Sequence, residues 1–151
     1  MAGAHKIFVR VFSYQSKSDD KELILEKFKE IFPFKLEEEK ISINASEAKG
    51  FGESIITIYE ISLIKERHIR KFLEHLAKNL DEENKSLVVS QAESRLDEDY
   101  NFFLRLDKEE FIKNGKLMIT DSGNCFHVKI SIAVFPKKRK NALESIKSLF
   151  S

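Results

Sequence analysis

Two groups of side chains have types and spacing from which chemistry is commonly built. Cys125 and His127 lie two residues apart in a segment that alternates apolar and other residues. On a strand, residues i and i+2 share a face, so the thiol and the imidazole are neighbours. Such a pair serves as a thiol with an imidazole partner, as half a metal site, or as two ordinary occupants of a strand face. Two ligands fall short of a structural zinc site, and proximity alone does not activate a thiol. The second group is the acidic run Asp97-Glu98-Asp99 with Asp107. Its carboxylates suit magnesium and phosphodiester chemistry, or else a solvated acidic loop. The more specific signatures are absent: no GxxxxGK[ST] or GxGxxG loop, no HExxH, no CxxC pair and no GxSxG elbow. The sequence therefore presents no catalytic or metal-binding constellation and calls for no cofactor.

Another pattern points to binding. Ile7, Val9 and Val11 alternate with Phe8, Arg10, Phe12 and Tyr14. Phe102, Leu104 and Leu106 alternate with Phe103 and Arg105, and Phe126, Val128, Ile130 and Ile132 alternate with Cys125, His127, Lys129 and Ser131. If the apolar rows face the helices, the opposite face displays Arg10, Arg105, His127 and Lys129 among the rings of Phe8, Phe12 and Phe103. Cations interleaved with rings suit looped or single-stranded RNA, which offers phosphates to the one and base faces to the other. The same rings equally suit a second small core beneath another helix, or a homodimer or protein-partner interface. The run Lys137, Lys138, Arg139 and Lys140 either grips phosphate or is a solvated helix start. A basic run opposes the dipole at a helix N-terminus, which implies some other reason for it there.

Period-two alternation places strands at 5–14, 41–46, 54–63, 102–106, 117–120 and 125–134. Helical spacing marks 21–32, 64–80, a weaker helix at 83–95, a short turn at 108–114 and a closing helix at 138–150. Pro33 and Pro136 terminate elements, because proline lacks the donor needed to continue them. Gly115 suits the residue after a helix, and residues 49–52 suit a hairpin turn. Hairpins mixed with crossover helices predict an α+β domain over residues 1–151, with a mixed β-sheet and helices packed mainly on one face.

Bulk composition is compatible with that reading. The 151 residues include 42% hydrophobic and 34% charged residues with only two prolines, which argues against disorder. A chain of this length buries a sizeable core without zinc or disulfides. One cysteine cannot form an intrachain disulfide, and neither a signal peptide nor a transmembrane run is present, so the expected location is the cytoplasm without membrane contact. Net charge is only +1, but it is unevenly spread: residues 81–110 carry a net −6 and residues 129–151 a net +5.

One block is more specific. Arg95-Leu96-Asp97-Glu98-Asp99, followed by Phe102-Phe103-Leu104-Arg105-Leu106-Asp107-Lys108, resembles the signature of a small archaeal family. The turn at 121–124, the alternating strand after it and the Pro136-led basic run continue the likeness, as does the opening strand with Arg10. Members of that family are described as predicted RNA-binding or exosome-associated proteins with a fold similar to ribosomal protein L5. The resemblance implies non-catalytic RNA binding, with an RNA-processing complex as partner, and singles out Arg95, Arg105, Asp107 and Lys108 by position. An alternative for Arg105 and Asp107 is a structural ion-pair network. The turn departs from the family at Ser122-Gly123-Asn124-Cys125, which counts against a role for Cys125.

Overall fold

Three helix starts are fixed by aspartate side chains. Asp20, Asp81 and Asp107 each accept a hydrogen bond from the backbone N–H three residues on, satisfying a donor that the first helical turn leaves free. The computed structural model describes residues 3–151. In chain order its elements are β1 (Ala4–Tyr14), α1 (Lys21–Glu30), β2 (Asn44–Lys49), β3 (Ile55–Leu63), α2 (Glu66–Asn79), α3 (Glu82–Ser90), α4 (Ala92–Arg95), β4 (Asn101–Asp107), α5 (Lys108–Asn114), β5 (Cys125–Ile132) and α6 (Arg139–Leu149). Gly115 ends α5 at φ 65°, a left-handed conformation that costs glycine little.

The strands form one five-stranded sheet in the order β2-β3-β1-β5-β4. The fold is α+β, but every pairing is antiparallel, where a mixed sheet was expected. The reason lies in the order of insertion. β1, β2 and β4 run the same way, and each would be a parallel neighbour of another. The returning strands β3 and β5 insert between them and convert each contact into an antiparallel one.

Two local expectations also shift. Residues 41–43 do not join β2, because Lys40 and Ile41 donate back to the carbonyls of Glu37 and Leu36 and hold a turn. Residues 117–120 make only a bridge, Leu106 to Ile119. The Asp107 and Thr120 N–H groups close that bridge on the Met118 and Arg105 carbonyls, while the Ile119 N–H points away from β4 and donates to the Asn84 side chain. The weak helix expected at 83–95 is two helices, α3 and α4, separated at Gln91.

One face of the sheet carries the core. Ile7, Val9, Val11, Ile61, Leu63, Phe102, Leu104, Phe126, Val128 and Ile130 are buried there beneath Phe28, Phe72, Leu76, Ile146 and Phe150 of the helices. Phe126 stacks on Phe28 at 6.2 Å and meets Phe111 edge-on at 5.8 Å. On the other face the alternate residues Phe8, Phe12, His127 and Lys129 are half-buried, while Phe103 and Arg105 are exposed. No helix is long and apolar enough to cross a membrane among the described residues.

Candidate nucleic-acid interface

The register of β1, β5 and β4 arranges the open face in two rows. Phe8 lies opposite Lys129, and Lys129 opposite Phe103; one step along, Arg10 lies opposite His127, and His127 opposite Arg105. Cross-strand neighbours sit about 5 Å apart, so each row is a line of touching side chains. A shallow groove of about 420 Å³ runs between them, with Asp97 and Asn101 at one end. The Arg10 guanidinium lies 5.1 Å from the Phe8 ring and 5.8 Å from the Phe12 ring, and the Lys129 ammonium 5.7 Å from Phe8. Phe103 is the open ring, 42% exposed.

The charges on this face are unequal in availability. Arg10 is paired with Glu60 at 2.8 Å. The ion pairs among the described residues otherwise take up Lys27, Lys35, Arg67, His68, Lys85, Arg95, Lys108, Lys116 and Arg139. Arg105 and Lys129 are in none of them; Arg105 is steadied only by donating to the Asp121 carbonyl at 2.9 Å. Burial, and then the charges of Arg105, Arg10 and Lys108, hold the His127 imidazole below its usual range, so near neutrality it is an uncharged ring. It packs edge-on against Phe12 at 5.6 Å.

Cys125 lies 3.6 Å from His127 Nε2. Burial pushes its thiol up, against the pull of Arg105 and Lys108, so the neighbouring imidazole does not produce a thiolate. Asp97 is occupied in a turn, accepting from the N–H groups of Asp99 and Asn101. Asp107 caps α5. No group of three or more metal-ligating side chains occurs among the described residues.

The other residues of the archaeal signature turn out to brace the fold. The Arg95 side chain is only 11% exposed and donates to Gln91 Oε1 through Nε and Nη2 and to the Phe103 carbonyl through Nη1, joining α4 to β4. Lys108 is buried, its ammonium 2.9 Å from the Phe12 carbonyl and 3.5 Å from Asp19. Burial lowers its pKa, and Asp19 opposes that shift.

The basic run divides in the same way. Arg139 donates to the carbonyls of Glu93 at 2.8 Å, Leu96 at 2.9 Å and Asp97 at 3.3 Å, and pairs with the Glu93 carboxylate at 2.7 Å. It thus closes the C-terminal end of α4, which supplies the reason for a cation at an otherwise unfavourable helix start. Lys138 and Lys140 are exposed, and Lys137 lies over the Tyr100 ring at 5.1 Å, just before β4. Beside them Phe135 is 97% exposed, a feature whose only sequence signal was an aromatic before Pro136. Replacing Arg139 by Ala should cost about 2 kcal/mol in denaturant unfolding, while Lys138→Ala should change it by less than about 0.5 kcal/mol.

A family model described as RNA binding matches residues 6–132. The chain belongs to that RNA-binding family. Among relatives, RNA-binding protein PAB1135 of Pyrococcus abyssi is 28% identical over 150 residues, covering 97% of this chain and 96% of the relative. Among solved structures, protein AF2318 from Archaeoglobus fulgidus is 27% identical with a TM-score of 0.83, covering 97% of this chain and 99% of that one. Mth689 from Methanothermobacter thermautotrophicus is 26% identical with a TM-score of 0.77, covering 98% of each chain. The match to the RNA-binding family includes β1 from Lys6 onward and all of β4 and β5, the strands that carry the open face.

The turn that borders this face should be acid-sensitive. Burial raises the Asp97 carboxyl, but hydrogen bonds from Asn101 and Asp99 and the charge of Lys129 outweigh it and leave the pKa below the usual range. A carboxyl depressed in the folded state adds stability above its unfolded pKa, about 4, and loses it as pH falls through the folded value. Asp81, held down mainly by the Asn84 N–H, acts in the same direction. Melting temperature should therefore fall more steeply below about pH 4 for the native chain than for Asp97→Asn, as scanning calorimetry would show.

Proposed function

We propose that this chain is a non-catalytic RNA-binding accessory domain, spanning residues 1–151 in the cytoplasm, whose RNA surface is the open face of β1, β5 and β4. The observation that carries the reading is the convergence of unpaired Arg105 and Lys129 with the exposed Phe103 ring on one groove, in a member of an RNA-binding family. Arg105, Lys129 and Arg10 contact phosphates. Phe103, Phe8, Phe12 and the uncharged His127 offer ring faces. Lys137, Lys138 and Lys140 extend the positive surface, whereas Arg95 and Arg139 act indirectly by holding α4 against β4 and α6. The relative's name, RNA-binding protein, supports the same ligand. A likeness to ribosomal protein L5 and a place beside an RNA-processing complex such as the exosome belong to this reading through the family resemblance.

The competing reading, a homodimer or protein partner seated on the rings, is disfavoured by Lys129 in the middle of the face, since interface centres are depleted of lysine. The deciding experiment is an anisotropy titration of labelled RNA across salt. Binding should weaken linearly in log–log form, with a slope of about −0.7 for each phosphate contacted on a single strand. If no RNA is bound at low salt and micromolar protein, the reading fails.

A further inference from the structure

A second depression lies on the far side of Phe8 from the groove. Its volume is about 340 Å³, and Phe8 lines both depressions. Ile41 and Ile64 add apolar wall, Ile64 being 71% exposed, while Ser42, Asn44 and Ser62 bring hydroxyl and amide groups. Lys40 and Lys65 also border it, as do Glu39 and Glu60, whose carboxylates are taken up by Arg67 and His68 and by Arg10. A volume at the low end of ligand pockets, apolar walls and a few short polar side chains suit one planar, hydrogen-bonding ring.

We propose that this recess takes one nucleobase of an unpaired RNA strand, and that a neighbouring base stacks on Phe103 in the groove. The inference rests on the RNA reading of the sheet face and adds the form of RNA that fits it. Phe8 and Phe103 flank Lys129 in one row, so they are two strand spacings apart, about 10 Å. Successive bases along a helical strand are spaced by only about 3.4 Å. Bases placed on either side of Phe8 are thus splayed apart, which an intact duplex does not allow. The chain joining them must cross the ridge at Phe8. That ridge is where Arg10 and Lys129 already lie, at 5.1 and 5.7 Å from the ring. Lys129, which is in no ion pair among the described residues, stands where the linking phosphate passes, with Arg10 beside it held by Glu60, and apolar walls with polar groups stand where the bases go.

The test is fluorescence anisotropy with labelled oligo(A), oligo(U) and oligo(C) of about eight nucleotides, and with an RNA duplex, at one low salt concentration. The single strands should bind about tenfold or more tighter than the duplex. Ser62→Trp, which fills the recess from an exposed position on β3, should abolish that advantage while leaving weak duplex binding unchanged. Asn44→Ala with Ser62→Ala should keep single-strand binding but level the differences among the three homopolymers. Melting followed by circular dichroism verifies that each variant is folded, and the double alanine variant reports on the recess even if the tryptophan disturbs β3. Duplex binding as tight as single-strand binding overturns the proposal. So does a Ser62→Trp variant that leaves single strands unaffected or weakens both forms equally, and so does a homopolymer preference that survives the alanines. In each of these cases RNA is still bound and the broader reading stands. Absence of binding to every RNA removes both.

Discussion

Changing Arg105 and Lys129 together to Ser is expected to weaken RNA binding about thirtyfold at low salt, from about 1 kcal/mol for each lost phosphate contact. The logarithmic salt slope should become shallower by about 1.4, or 0.7 for each of two contacts. These two cations are chosen because the fold uses them little: Arg105 donates to the Asp121 carbonyl alone, and Lys129 lends the Asp97 turn its charge without an ion pair. Neither is in an ion pair among the described residues, and both stand on the open face, so unfolding free energy should move by less than about 0.5 kcal/mol. Arg10 would be a poorer probe, because removing it leaves Glu60 without its partner at 2.8 Å and mixes a fold effect with a binding effect. Lys71→Ser with Lys78→Ser, a pair of exposed charges on α2 in the helical layer, is the control. It removes the same charge and should leave the affinity nearly unchanged. Equal losses from the two pairs would mean that RNA responds to net charge and not to the sheet face.

The open face was legible because strand alternation is a local property. Phe8, Arg10, Phe12, Phe103, Arg105, His127 and Lys129 each alternate with an apolar residue, and burying the apolar row leaves the others outside. Whether those rings were covered was not legible, since that depends on where helices far along the chain pack. Arg95 and Arg139 show the same limit more sharply. In sequence Arg139 belongs to a run that either grips phosphate or is a solvated helix start, and Arg95 is singled out by the family resemblance. In the fold Arg139 reaches carbonyls at Glu93 and Leu96, more than 40 positions away, and Arg95 reaches the Phe103 carbonyl. Main-chain acceptors leave no trace in side-chain pattern, so guanidinium groups that bind them cannot be told from those that bind ligands. The antiparallel sheet was missed for a related reason. Crossover helices suggest parallel neighbours, but which strand inserts between them is decided by long-range pairing. The 117–120 segment meets β4 at only one bridge, and the outward Ile119 N–H is satisfied by the side chain of Asn84, 35 positions away, a partner that no local alternation reveals.

The largest stability effect is expected at Phe126, on the buried side of the strand whose other side carries His127 and Lys129. Phe126 is fully buried, stacked within 9° of parallel on Phe28 of α1 and edge-on to Phe111 of α5. It is therefore where the N-terminal helix, the central sheet and the short α5 meet. Phe126→Ala removes the ring contacts to both helices and opens a cavity that three rigid elements cannot close, at a cost of about 3–5 kcal/mol. That is a large part of the 5–15 kcal/mol that ordinarily holds a domain together, and should lower the melting temperature by about 10 °C or more. Phe126→Leu, which keeps most of the apolar volume, should cost clearly less, and urea unfolding of the two variants would separate cavity from contact. The effect should also reach the RNA face at a distance. β5 lies between β1 and β4, so loosening it disturbs the row from Phe8 through Lys129 to Phe103 even though no residue of that row is altered. At temperatures where the variant remains folded, RNA affinity should fall by less than in the Arg105 and Lys129 double variant, because the charges are still present and only their spacing has relaxed.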